Sequence, residues 1–183
     1  MATVTEFRLD GGATWLNLLA TQGQSFGLHP VERIPTPEAA SHWLSLVGFP
    51  LAAPMPDHDL RRLVSLREAL RDLAMAVTNR RDPSPDALAV VSDAASNPAV
   101  LSLAGMIGDH GFSVDAALGA IATQALVTLQ GPDRTLLKEC AEVDCRWVFL
   151  DTSGRRHWCP SPACASRGRV RAHRLRQAAP STS

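Results

Sequence analysis

The chain's four cysteines are Cys140, Cys145, Cys159 and Cys164, all within its last 44 residues. They form two Cys-x4-Cys pairs separated by thirteen residues. Two paired thiolates, each pair bridged by a short loop, can place four sulfurs tetrahedrally at about 2.3 Å from a zinc ion. In a reducing compartment such a cluster reads as a metal site first, with disulfides, free thiols and a redox iron–sulfur cluster as competing uses. A unit of roughly 40 residues has too little core to fold on burial alone. One zinc ion bound by all four thiolates would supply on the order of 10 kcal/mol of folding free energy. No ligand position is left open, which points to a structural role rather than a catalytic one. His157, two residues before Cys159, is either a substitute ligand or a partly exposed strand residue.

Directly after Cys164 come Arg167, Arg169, Arg171, Arg174 and Arg176. On a helix, Arg167, Arg171 and Arg174 share one face, and Arg169, His173 and Arg176 share a neighbouring one. Arg155 and Arg156 precede the second cysteine pair and extend the basic set. The formal charge of zero therefore hides an asymmetry. Residues 1–132 hold eight Arg and thirteen acids, a net −5, whereas residues 146–177 hold eight Arg and one acid, a net +7. Arginines at this density repel one another, and an anionic surface relieves that cost. The planar guanidinium suits both phosphates and the guanine edge, and a helix of this kind fits the major groove. The sequence predicts DNA contact through these seven arginines. A solvated, frayed helix, or one docked on an acidic protein surface such as the first domain of another copy in a homodimer, stands as the alternative.

The elements that must position these residues are less regular. Trp147–Leu150 and Arg156–Trp158 read as two strands around a turn at Asp151–Gly154, so the finger reads as a knuckle, a hairpin and a second pair entering a helix. Before it, Thr36-Pro37 reads as the cap and first position of a helix to about Val47. Asp59–Asn79 carries the clearest amphipathic pattern. Ser84-Pro85 opens a helix ending near Asn97-Pro98, and Asp115 caps another that reaches Leu129. Gly23–Pro37 reads as a loop. Gly11-Gly12 supports either a hairpin or a helix beginning near Trp15, and Gly108–Gly111 predicts a hairpin joining Val100–Ile107 to Phe112–Val114. The expected fold class is α+β. A mainly helical domain with one or two hairpins spans 1–132, a small zinc finger spans 133–178, and a disordered tail spans 179–183.

Function classes narrow accordingly. There is no Gly-rich phosphate loop, no His-Glu-x-x-His and no serine-hydrolase signature, so an enzyme is not expected. The N-terminal residues hold no apolar run, and Ala39–Pro56 has too many prolines to span a bilayer, so a cytoplasmic protein without membrane contact is expected. Trp15, Trp43 and Phe112 are candidates to line a pocket for a small-molecule effector in the first domain, or are simply core.

At the finger the chain resembles the proteins with a C-terminal CGNR-type zinc finger. The residues carrying the resemblance are Phe149-Leu150-Asp151, Arg156-His157-Trp158-Cys159 and Cys164-Ala165-Ser166-Arg167. Ala165 and Ser166 stand where that signature has Gly and Asn. The first 132 residues are similar to the family's N-terminal ABATE domain through Leu16, Thr21, Trp43-Leu44 and Leu66-Arg67-Glu68-Ala69-Leu70. The resemblance implies a bacterial transcription regulator of the stress-response kind, with a ligand-sensing first domain and a finger like a treble clef.

Overall fold

The computed structural model describes residues 6–96 and 111–178. Helix α1 (Thr14–Leu19) buries Trp15, Leu16, Leu18 and Leu19. Gly11-Gly12 therefore precedes a helix and does not turn a hairpin. The Gly11 N–H instead donates to Asn17 Oδ1 at 2.8 Å, and its carbonyl accepts from the Leu150 N–H at 3.0 Å. A missing Cβ matters here, because one would lie 2.7 Å from the Trp147 ring. The segment read as a loop contains a minimal antiparallel hairpin of β1 (Gln22–Gly23) and β2 (Val31–Glu32). Strands of two residues carry no periodicity, so only the tertiary partners reveal them. One such partner is Arg67, 1% exposed, which donates Nη1 and Nη2 to Glu32 at 2.9 and 2.8 Å and Nη1 to Thr21 Oγ1 at 3.0 Å.

Helix α2 (Pro37–Leu46) begins where the Thr36 hydroxyl accepts from the Ala39 N–H, as its sequence predicts. Helix α3 (Asp57–Asn79) supplies the central wall of the core, packing on α1, α2 and α4 (Pro85–Ala95). The fourth wall, α5 (Val114–Gln130), is capped by Ser113, whose hydroxyl accepts from the Ala116 N–H. Asp115 is not the cap. It sits in the first turn and pairs with Arg62 at 2.6 Å. Phe112 makes an isolated parallel bridge to Leu51, and Val114 is already helical rather than part of a strand, while the expected turn at Gly108–Gly111 lies mostly outside the described residues. The other arm, Val100–Ile107, lies outside the described residues, as does the 179–183 tail.

A short 3-10 turn (Pro132–Leu136) leads into β3 (Leu137–Glu139), which pairs antiparallel with β4 (Val148–Leu150) in the register Leu137 to Leu150. This corrects the expected finger hairpin. The partner of Val148–Leu150 precedes the first cysteine pair, and Arg156–Trp158 is irregular. The Cys140–Cys145 knuckle is itself the hairpin's connection, which the four ligands fix more strongly than local propensity does. Helix α6 (Pro162–Ala178) closes the finger with proline at its start. Among the described residues the architecture is α+β, helical in its first part with two small antiparallel hairpins and a treble-clef-like finger.

Trp147, Val148, Phe149, Cys140, Cys159 and Cys164 belong to the same buried cluster as Trp15, Leu63 and Leu70. The Trp147 indole N–H donates to the Leu16 carbonyl at 2.8 Å, and the Phe26 N–H to the Asp144 carbonyl at 3.1 Å. Finger and helical domain thus share one core. No helix among the described residues is long and apolar enough to cross a membrane.

Candidate metal centre and basic helix

The two knuckles arise from backbone hydrogen bonds. Cys145 and Arg146 donate to the Glu142 carbonyl at 2.9 and 3.0 Å, and Arg146 takes the left-handed conformation at φ 47°. Cys140 donates to the Trp147 carbonyl at 2.9 Å, and Cys164 to the Ser161 carbonyl at 3.2 Å. The Ala141 N–H reaches the His157 carbonyl at 2.9 Å and brings the second pair over the first.

None of the four cysteines is in a disulfide, and their Sγ atoms all lie within 4.8 Å of one another. A tetrahedron with arms of about 2.3 Å has edges near 3.8 Å, so the four sulfurs fit one zinc ion. Hydrogen bonds from Cys140, Cys145 and Cys159 push the Cys164 thiol far below its usual range, with Arg167 adding to the effect. Cys140 falls to about 7 through Cys145 and Cys159. Cys145 and Cys159 are pushed up, first by Cys140 and also by Cys164. Four thiolates so close repel one another unless a cation lies among them. His157 is exposed, stacks edge-on against Trp158 at 5.9 Å, and is not part of the sulfur cluster.

Asp151 shows what the Phe-x-Asp element does. Its side chain is almost wholly buried. It accepts from the Ser153 hydroxyl at 2.6 Å and the Arg156 N–H at 2.9 Å, and it pairs with Lys138 at 3.1 Å. These bonds, led by the one from Ser153, hold its carboxyl well below the ordinary range. The turn therefore ends β4 and sets the path toward Cys159.

The arginines of α6 divide into two groups. Arg171 Nη2 pairs with Glu142 Oε1 at 2.7 Å and Asp144 Oδ2 at 3.3 Å. Arg167 Nε lies 4.0 Å from the same Glu142 oxygen, and its Nη2 donates to Cys164 Sγ at 3.5 Å. Both side chains turn back onto the first knuckle. Arg169, Arg174 and Arg176 are exposed, as are Arg155 and Arg156, and none of the five forms an ion pair among the described residues. Glu142 and Asp144 were missed as functional residues in the sequence. Two acids inside a cysteine loop, facing a helix with no acid of its own, were the available signal. Ala165, in place of the signature glycine, lies inside α6, where alanine favours helix by about 1 kcal/mol over glycine. The Trp158 indole lies against Gly168 of the same helix.

Trp15 and Trp43 are completely buried in the core, where the Trp15 indole donates to Thr128 Oγ1 at 3.2 Å. Phe112 stacks edge-on against Phe49 at 5.2 Å. The cleft of about 150 Å³ beside the metal centre is lined by none of the three.

Fold and site together define a zinc finger protein whose finger is built onto a helical domain. Compared with known families, residues 12–132 match the ABATE model, described as "Putative stress-induced transcription regulator", and residues 137–177 match the CGNR zinc finger. The chain belongs to the ABATE family and carries a CGNR zinc finger that holds one structural zinc ion. Among curated proteins no match is found.

Proposed function

We propose that this protein is a cytoplasmic DNA-binding transcription regulator that contacts phosphates through the outer turns of α6. The observation carrying this reading is the division of its arginines. Arg167 and Arg171 are engaged within the finger, while Arg169, Arg174 and Arg176 are exposed without an acidic partner among the described residues. A helix of 17 residues is about 25 Å long. Its first turns are tied to the metal centre, and the remainder extends a row of guanidinium groups of a size to enter the major groove. Arg155 and Arg156, exposed on the loop before Cys159, extend the basic surface. The family description supports a regulatory role, and the shared core gives an effector bound to the first domain a physical route to the helix.

The test is a titration of zinc-loaded protein with duplex DNA across a salt series. Log affinity falls against log salt with a slope of about −0.9 per phosphate contact. Replacing Arg169, Arg174 and Arg176 together with Ala is expected to flatten that slope by about 3 units. A chain that ignores duplex DNA at low salt, yet forms a salt-sensitive oligomer, would instead make the acidic domain of a second copy the partner of the helix.

A further inference from the structure

Three arginines from three separate segments meet at the metal centre. Arg8 lies before α1, Arg33 directly follows β2, and Arg167 lies in α6. Together they line the cleft of about 150 Å³ whose wall includes Cys145 and Cys164. Arg8 is packed over the Trp147 ring at 4.9 Å and pairs with Asp10 at 2.8 Å. Arg33 donates Nη1 to the Ala20 carbonyl at 3.1 Å, and among the described residues it has no carboxylate partner. Its guanidinium fits beside Gly23, where a Cβ would collide with it.

A zinc ion with four thiolates keeps two net negative charges, and three of the four sulfurs belong to residues no more than 3% exposed. Buried charge of that size needs compensation, and residues beyond the ligands commonly supply it. Arg33 poses the converse problem, since it is half-buried and cationic. A free anion would find most of the cleft's positive charge already matched by the thiolates and Asp10.

We propose that Arg8 and Arg33 of the helical domain are outer-sphere partners of the zinc centre, so that the finger's charge is balanced from outside the finger. The metal site is then complete only when the first domain is folded around it.

The full-length zinc-loaded protein tests this through zinc transfer to a chromogenic chelator and through alkylation by neutral iodoacetamide. Arg33→Gln is expected to release zinc on the order of 10-fold faster and to raise the alkylation rate. Arg33→Lys, which keeps the charge, should stay near the parent rate, and Arg61→Gln, an exposed arginine on α3, should match it. If Arg33→Gln fails to fold, Arg8→Gln carries the test, with a smaller shift in the same direction. Parent-like zinc retention in folded Gln variants would overturn the proposal. So would equal loss in Arg33→Lys and Arg33→Gln, which would assign the effect to the Ala20 hydrogen bond. Saturable binding of inorganic phosphate to the loaded chain, abolished by Arg33→Gln, would give the cleft a free anion and overturn it as well.

Discussion

Arg171, one helical turn beyond Arg167, holds the carboxylate of Glu142 at 2.7 Å across the finger, and the Glu142 side chain is fully buried. A residue that reads in sequence as part of a nucleic-acid face is therefore a tie between the helix and the first knuckle. Removing one member of a buried pair leaves the other desolvated and unmatched.

Arg171→Ala is accordingly expected to destabilise the protein by about 1–3 kcal/mol, below the range for a fully buried pair because the arginine is 46% exposed and partly screened. Thermal melts of the zinc-loaded variant check this. Arg174→Ala, with no partner to orphan among the described residues, should leave the melting temperature within a degree or two while weakening DNA binding. The reverse ranking would mean that Arg171 acts at the DNA and not inside the finger.

Zinc removal should not melt the finger alone. Cys140, Cys159, Cys164, Trp147 and Phe149 share a core with Trp15 and Leu70, so chelation at equilibrium is expected to lower the melting temperature of the α3 and α5 helices too. Helical ellipticity followed during a thermal scan would show one transition moving down. A helical transition that stays in place after complete metal loss would show that the first domain stands by itself.

The seam between the two family units is also sensitive to volume. Gly11→Ala puts a methyl 2.7 Å from the Trp147 ring and 2.9 Å from Asn17 Oδ1. Overpacking of this kind costs about 1–3 kcal/mol. Denaturant unfolding should show that loss, with the Trp147 fluorescence environment altered in the native state.

Asp151 supplies a pH signature. Its carboxyl is held below the ordinary value of 3.8, chiefly by the Ser153 hydrogen bond. A depressed carboxyl stabilises the fold at pH above its unfolded value, and that contribution fades as the pH falls toward the folded value. Asp151→Asn should therefore be less stable than the parent at neutral pH, with the gap narrowing below about pH 4. A gap that is constant with pH would assign the loss to shape rather than to charge.

The residues that could be read directly were those whose meaning is local. Cysteine spacing pointed first to a metal centre, because two short loops can bring four thiolates around one ion, and the folded chain then grouped the sulfurs without a disulfide. Thr36-Pro37 and Ser84-Pro85 announced their helices because a cap and a fixed φ act within one turn. What sequence did not disclose depends on partners distant along the chain. The β1–β2 hairpin is held by Arg67 from α3. The partner of β4 is the segment before the first cysteine pair, although the residues after the turn look equally strand-like. The same holds for charge. Sequence established that the end of the chain is basic, but only tertiary structure sorted its arginines, tying Arg167 and Arg171 to an acidic loop and placing Arg8 and Arg33 in a cleft with Cys145 and Cys164, more than a hundred residues away. Local sterics and ligand valence are written into neighbouring residues. Charge neutralisation is settled only where separate segments are forced into the same low-dielectric space.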